Sequence, residues 1–353
     1  MKRIALVGLG AAARHIHLPA YHKLAGARVV AGCDVHPPAG RLAFPVFDSL
    51  TAMLDAQAAD IVVIATPPQT HVELAALCLE RGLHVLCEKP FTPTVEEGVR
   101  LVRLADAKGV RIVVNNEFRF MRCHAAARAM VGQPKFGELL FVQMNQTFRT
   151  SAHTEAGWRG EDTERTCKEF GTHVFDLARF FFGAEPERLF ARMPRPGRGG
   201  GPDLLNLFDL QFPGDRWARI TLDRLTRGRH RYLDVRLDGT HGVVETELGG
   251  HLALGLGVHA SSRRPYLDFD LSPGGRAFLF EGERKTKLAT DPLGLFAAAT
   301  RELMRRFMQS LDDGSAPPCE GRDNVRTLAL MRGAYSAAVG SGELDLAFLR
   351  DLV

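Results

Sequence analysis

An apolar run, Arg3–Val7, breaks off in Gly8-Leu9-Gly10-Ala11-Ala12-Ala13. No other stretch restricts the fold as tightly. Two glycines one residue apart, followed by small residues, fit a sharp strand-to-helix turn. The first glycine permits the turn, the second lets backbone approach a ligand, and the small third position lets the helix pack on the strand. The helix that follows offers unpaired amides to an anion. A second apolar run, Arg28–Cys33, leads to Asp34, 21 residues beyond Ala13. That is the separation expected of an acid accepting ribose hydroxyls. Together they predict a dinucleotide site, with Gly8, Gly10, Ala12 and Ala13 at the phosphates and Asp34 at the ribose. Asp34 would repel a 2′-phosphate, so NAD is expected before NADP, although Arg41 downstream opposes that preference. The rival reading is a tight turn with a surface aspartate.

The pattern continues. Asp60–Thr66, His84–Cys87 and Arg111–Asn115 are further short apolar runs, with helical segments between them. Alternation of this kind predicts a parallel α/β sheet. Thr70 with Glu73, and Thr94 with Glu97, predict two capping boxes. Lys2-Arg3 before the first run also has the look of a signal peptide, but Gly8 and Gly10 interrupt the run, and a buried strand is the better reading.

From about Phe136 the texture changes. Leu139–Thr147, Arg188–Met193, Leu204–Phe212, Trp217–Leu225, Tyr232–Leu237 and Gly242–Leu248 read as alternating strands. Pro213-Gly214-Asp215 and Asp238-Gly239-Thr240 are turn signals between them. Helices are expected over about Cys167–Phe182, Pro292–Leu311 and Arg322–Val339. The 353 residues suit about two domains, placed at 1–119 and 120–353, with the last helices packing back on the first.

A net charge of +4, evenly mixed, does not suggest nucleic acid, and no stretch is apolar enough to span a membrane as a helix. The six cysteines are scattered, with no C-x-x-C pair or Cys/His cluster. No metal site is expected, and a reducing, cytoplasmic setting fits.

Only eight of the 45 basic residues are lysine, so Lys89 in Cys87-Glu88-Lys89-Pro90 stands out. An amine can lose its proton on burial, whereas guanidinium cannot. Lys89 ends the fourth run, on the same sheet edge as the glycine turn, and a cis bond to Pro90 is conceivable. Thr66, Pro67 and His71 end the third run on that edge, where ligands of parallel sheets sit.

At this point the chain resembles the Gfo/Idh/MocA family, the glucose–fructose oxidoreductase and inositol dehydrogenase family of nicotinamide-dependent enzymes. The resemblance lies in the glycine turn with His17-Leu18-Pro19-Ala20, the Ala65-Thr66-Pro67-Pro68 loop with His71, and Glu88-Lys89-Pro90. It continues through Arg119-Phe120, Gly171-Thr172-His173-Val174-Phe175-Asp176, Asp238-Gly239 and Gly242-Val243-Val244-Glu245, so it covers nearly the whole chain. It implies an N-terminal Rossmann domain and a C-terminal α+β domain with an open, mainly antiparallel sheet that forms a homodimer or homotetramer. It implies Lys89 at the reacting oxygen or nicotinamide ribose, His173 as proton donor or acceptor, and Glu88 and Glu117 among the cofactor contacts. Two positions depart from the family. Glu169 stands where an aspartate usually assists the histidine, and Glu117 where an amide is common. As i and i+4 residues of a helix, Glu169 and His173 are expected to share a face.

The expected activity is therefore an NAD(P)-dependent dehydrogenase acting on a secondary alcohol of a sugar, cyclitol or related polyol. His173 would take the proton and Lys89 would stabilise the developing oxyanion. Arg119, Trp158 and Arg159 are candidate substrate contacts, with Arg122, His124 and His153 near the same cleft. Two alternatives use the same residues: transient redox by bound NAD without net turnover, and a non-catalytic NAD sensor. Asp176 reads as structural, and His173 on its apolar helix also reads as a satisfied core histidine.

Overall fold

The computed structural model describes residues 1–37, 40, 42–148, 163–196, 201–228, 231–249 and 274–352, together with the strands 252–258 and 265–271 as backbone. Arg41, His153, Trp158 and Arg159 lie outside the described residues.

The first sheet contains β1 (Lys2–Val7), β2 (Ala27–Cys33), β3 (Val46–Phe47), β4 (Ile61–Ile64), β5 (His84–Cys87) and β6 (Ile112–Val114). Its order is β3-β2-β1-β4-β5-β6, all parallel. The order reverses direction at β1, so the crevice beyond the carboxyl ends of β1 and β4 is a ligand site by topology. Successive residues of a strand point to opposite faces, and both faces here are covered. Ala5, Val7, Val62, Ile64 and Val85 pack with the helices Leu50–Ala56, His71–Glu80 and Val95–Lys108. Ile4, Leu6, Ile61, Val63 and Leu86 face Tyr21 and, from far down the chain, Leu303, Met304 and Phe307 of the helix Leu295–Asp313. The last helices thus complete the first sheet. Val325 of the helix Gly321–Val339 does the same on the other face.

The second sheet gathers β7 (Leu139–Thr147), β8 (Arg188–Arg192), β9 (Leu205–Phe212), β10 (Arg216–Asp223), β11 (Arg231–Gly239), β12 (Val243–Leu248), β15 (Arg276–Glu281), β16 (Arg284–Thr290) and β17 (Glu343–Asp345). Its order is β16-β15-β12-β11-β7-β10-β9-β8-β17. Neighbours run antiparallel except β7 and β10, which are parallel. A parallel neighbour needs a crossover, and the helix Thr172–Phe182 lies in the chain between these two strands. β13 (Leu252–Val258) and β14 (Pro265–Leu271) pair with each other as a separate hairpin. One face of the large sheet buries Val142, Met144, Phe208, Ile220, Val235 and Val244 under the helices Arg122–Met130, Thr172–Phe182 and Gly321–Val339. Strands β13–β17 and β3 went unread in the sequence. β3 has two residues, too few to alternate, and β16 is a polar edge strand, Arg-Lys-Thr-Lys-Leu-Ala-Thr.

Of the two capping boxes, one forms. Thr94 and Glu97 exchange bonds across the start of their helix, with Glu97 N–H donating to Thr94 Oγ1 at 3.3 Å and Thr94 N–H to Glu97 Oε2 at 3.1 Å. Thr70 does not cap with its side chain. It closes a 3-10 turn, Pro68–Thr70, and its hydroxyl donates to Pro67 O and Thr66 Oγ1 instead.

Candidate active site

The glycine turn is close to its neighbours on one side and open on the other. Gly8 has φ +87°, and a Cβ there would lie 2.6 Å from Ala65 O. A Cβ on Gly10 would meet no atom within 4 Å. Gly8 is therefore required by the protein itself, whereas Gly10 leaves room for something else. Leu9 N–H donates to Asp34 Oδ2 at 2.7 Å, and His36 N–H to Asp34 Oδ1 at 2.8 Å. Asp34 braces the turn, yet each carboxylate oxygen keeps a second lone pair for a hydroxyl. Ala13 is fully buried against the sheet. A tight turn, an open glycine, a helix N-terminus and an acid at the second strand fit a dinucleotide.

The helix after the turn contains a π segment, Ala13–His17. His17, fully buried, faces Tyr21 Oη through Nδ1 at 2.9 Å and Glu88 Oε1 through Nε2 at 2.8 Å. Asn115 Nδ2 donates to the same Glu88 oxygen at 2.8 Å. Burial opposes the charge on Glu88, but His17, the Lys89 ammonium and Asn115 outweigh it and hold the carboxyl down at about 2. The glycine-turn helix is thereby strapped to the Glu88-Lys89-Pro90 loop. The Lys89–Pro90 bond is cis.

Lys89 Nζ reaches across to the second domain and donates to the backbone oxygen of Glu169 at 3.3 Å. Glu169 belongs to a second π segment, Cys167–Gly171, which runs directly into the helix Thr172–Phe182. Asp203 fixes the start of that segment by accepting the amides of Arg165, Thr166 and Cys167. A carboxylate at a helix N-terminus satisfies orphan donors and favours the helix dipole.

His173 is 3% exposed, and its Nδ1 is buried with no partner among the described residues. Phe118 stacks on the ring with centroids 4.0 Å apart, and Phe170 meets it edge-on at 5.5 Å. Burial, then the charges of Lys89 and His124, lower its pKa well below the usual value. His173 is thus a neutral imidazole at neutral pH. His124 is itself buried and lowered to about 4 by desolvation, its Nδ1 against Phe118 O at 2.9 Å.

Two sequence-derived matches cover most of this framework. Residues 2–116 match the model of the oxidoreductase family with an NAD-binding Rossmann fold, and residues 124–245 match the GFO/IDH/MocA C-terminal domain. An inositol 2-dehydrogenase of Mycolicibacterium vanbaalenii is 32% identical over 72% of this chain and 73% of its own. The chain belongs to the Gfo/Idh/MocA oxidoreductase family. Its N-terminal domain is an NAD-binding Rossmann domain. A D-apiose dehydrogenase of Paraburkholderia graminis is similar at 26% identity over 95% of this chain and 87% of that one. The fold is shared with an Agrobacterium radiobacter oxidoreductase solved with NAD+, L-tartaric acid and magnesium (TM-score 0.82, 19% identity, 100% and 99% of the two chains).

Several residues expected at a Gfo/Idh/MocA site sit elsewhere. The Glu169 carboxylate does not meet His173 Nδ1. It bonds Arg224 Nη2 at 2.8 Å and lies 3.6 Å from Arg165 Nε. The expected i,i+4 pairing fails because the π segment adds a residue to the turn between them. Arg119, expected near substrate, is committed inside the protein. It bonds Asp176 twice, at 2.7 and 2.6 Å, lies 2.8 Å from Asp323, and covers the Phe180 ring. Asp176 also accepts from Asn116 Nδ2 at 2.8 Å, so its place is structural. His71 is fully buried with Nδ1 against Pro90 O and Phe91 O and Nε2 against Thr66 O. It ties two loops together and leaves no ring nitrogen open to a cofactor. Thr66 and Pro67 remain on the carboxyl edge beside the glycine turn, where a Cβ on Gly8 would also touch Thr66. Arg122 is exposed.

Sequence reasoning missed the strap residue His17, although it was part of the motif, and missed Phe118, Asn115 and Tyr232. Tyr232 meets Phe170 at 5.5 Å and Phe296 at 5.4 Å, closing an aromatic wall around His173. Nothing local in the sequence marks such a wall.

Proposed function

We propose that the protein is an NAD-dependent dehydrogenase acting on a secondary alcohol of a sugar, cyclitol or related polyol. One observation carries this reading: Lys89 crosses to the Glu169 carbonyl, one turn from a buried, neutral His173 with an unused nitrogen. Gly8, Gly10, Ala12, Ala13 and Asp34 would hold the dinucleotide, which supplies a hydride acceptor. Asp34 favours NAD over NADP, because a 2′-phosphate would meet its carboxylate. His173 accepts the hydroxyl proton in its neutral form. Lys89 donates to the oxygen as negative charge develops there. Glu169 contributes its backbone carbonyl, which aims Lys89, rather than a carboxylate on the imidazole. The inositol and apiose dehydrogenase relatives support the polyol class.

The second sheet's outer face carries Phe190 stacked on Trp217 at 5.8 Å, with Leu207 at 40% exposure. That face supports a homodimer or homotetramer, to be checked by light scattering. No helix among the described residues is long and apolar enough to cross a membrane. The six cysteines are all free and buried, which supports a cytoplasmic setting.

The test is absorbance of reduced nicotinamide during incubation with NAD or NADP and a panel of inositols, aldoses and uronates. Reduction by one polyol is expected, lost in both Lys89→Ala and His173→Ala. Tight NAD binding with no reduction across the panel would reject the dehydrogenase reading in favour of transient redox or sensing.

A further inference from the structure

Glu117 follows β6 on the same sheet edge as Lys89 and directly precedes Phe118, which stacks on His173. It is 4% exposed, and its Oε2 has no hydrogen-bond partner among the described residues. The groups facing it come from every side: Glu88 and Lys89 after β5, Asp176 on the helix Thr172–Phe182, Tyr232 on β11 and Cys319 ahead of the last long helix. A carboxylate buried beside two others is costly, so the neutral acid is favoured. Burial, then Glu88, with Asp176 adding, push its pKa up to about 8 against the pull of Lys89. Glu88 cannot share the burden, because His17 and Asn115 keep it ionised. Burial, an unpartnered Oε2 and the neighbouring carboxylates thus favour the protonated acid of Glu117, and one added positive charge nearby would oppose that preference. The nicotinamide ring carries such a charge when oxidised and none when reduced.

We propose that Glu117 is a redox-linked proton site, which gives up its proton when oxidised nicotinamide binds and recovers one as the alcohol is oxidised. This rests on the dehydrogenase reading above. The step balances: the alcohol C–H bond breaks with its electron pair leaving for the cofactor, the O–H bond breaks, a C=O bond forms, and the proton ends on the Glu117 carboxylate. His173, desolvated and beside the Lys89 ammonium, does not keep that proton. An amide at position 117 could not perform this role.

The test is titration calorimetry of NAD+ and of NADH at pH 7.5 in two buffers of different ionisation enthalpy, which counts protons exchanged on binding. NAD+ is expected to release on the order of half a proton or more per site, and NADH almost none. Glu117→Gln should bind NAD+ with that release lost. Equal proton counts for NAD+ and NADH in the unaltered protein would overturn the inference without any variant. So would equal release in the unaltered protein and Glu117→Gln. Absence of NAD+ binding would reject the cofactor reading and the inference together, whereas binding with equal counts rejects the inference alone.

Discussion

His17 and His173 make an instructive pair. Both are buried, and both lie at or just beyond a π segment. His17 uses both ring nitrogens, on Tyr21 and Glu88. His173 has a bare Nδ1 and aromatic rings on its faces. A buried polar atom without a partner costs free energy, so it persists only where something compensates. The first histidine straps the helix after the glycine turn to the Glu88-Lys89-Pro90 loop. The second keeps an unsatisfied, buried nitrogen among aromatic rings. Similar burial and similar local helix geometry thus serve opposite ends, and the hydrogen-bond inventory separates them.

The sharpest way to break this contrast is to remove each histidine. His173→Ala and Lys89→Ala should cut turnover by roughly 10²–10⁴-fold while NAD still binds. If His17→Ala lost as much turnover with an unchanged melting temperature, the division of labour would be wrong. Next in size is the interdomain ion network. Arg119→Ala leaves Asp176 buried without its guanidinium, and a loss of about 3–5 kcal/mol is expected from denaturant unfolding. An unchanged midpoint with a raised KM would instead return Arg119 to the substrate site. His17→Ala should cost less, about 1–3 kcal/mol for the buried Glu88 acceptor it abandons; a variant as stable as the parent would refute the strap.

A smaller effect separates Glu117 from both histidines. Its folded pKa, about 8, lies above the ordinary 4.5, so the folded state binds more protons between those values. Stability contributed by this group therefore falls as pH rises through that window. Glu117→Gln should flatten the fall and raise the melting temperature at pH 8 by roughly 2–4 °C, with little change near pH 4.5. His173 acts in the opposite sense, since its folded pKa is depressed and its contribution is lost as pH falls below 6.5. Parallel melting curves for parent and Glu117→Gln from pH 5 to 8.5 would contradict the buried neutral acid. The smallest change in stability is expected for Gly10→Ala. The methyl meets no atom of the described residues within 4 Å, so the melting temperature should hold while NAD affinity falls. Unaltered affinity would remove Gly10 from the nucleotide site.

The nucleotide half was legible in the sequence because its parts are local. Gly8, Gly10 and Ala13 lie in one turn, Asp34 ends the next strand, and Lys89 ends β5. Each follows from backbone conformation and strand order, which short-range patterns encode. The other half was legible only in outline. The helix carrying His173 was clear from periodicity, but the π segment that turns Glu169 away was not. Neither was the commitment of Arg119 to Asp176, a partner 57 residues away.

By itself, then, the sequence determined the parallel sheet, the glycine turn, the acid at the end of the second strand and the presence of an amine and an imidazole. Only the tertiary structure decided which charges meet. The helix Leu295–Asp313 closes the first sheet from far down the chain, with Asn115 Nδ2 reaching Thr300 Oγ1 at 3.3 Å. Helix Gly321–Val339 brings Asp323 to Arg119, and Asn324 Oδ1 to Asn116 Nδ2 at 2.7 Å. The reason is physical. Turns and periodicity depend on neighbouring φ, ψ and side-chain direction, whereas burial and Coulomb interaction depend on distances that chain order does not reveal. Whether Glu117 holds a proton, and whether His173 keeps a free nitrogen, is fixed by those distances alone.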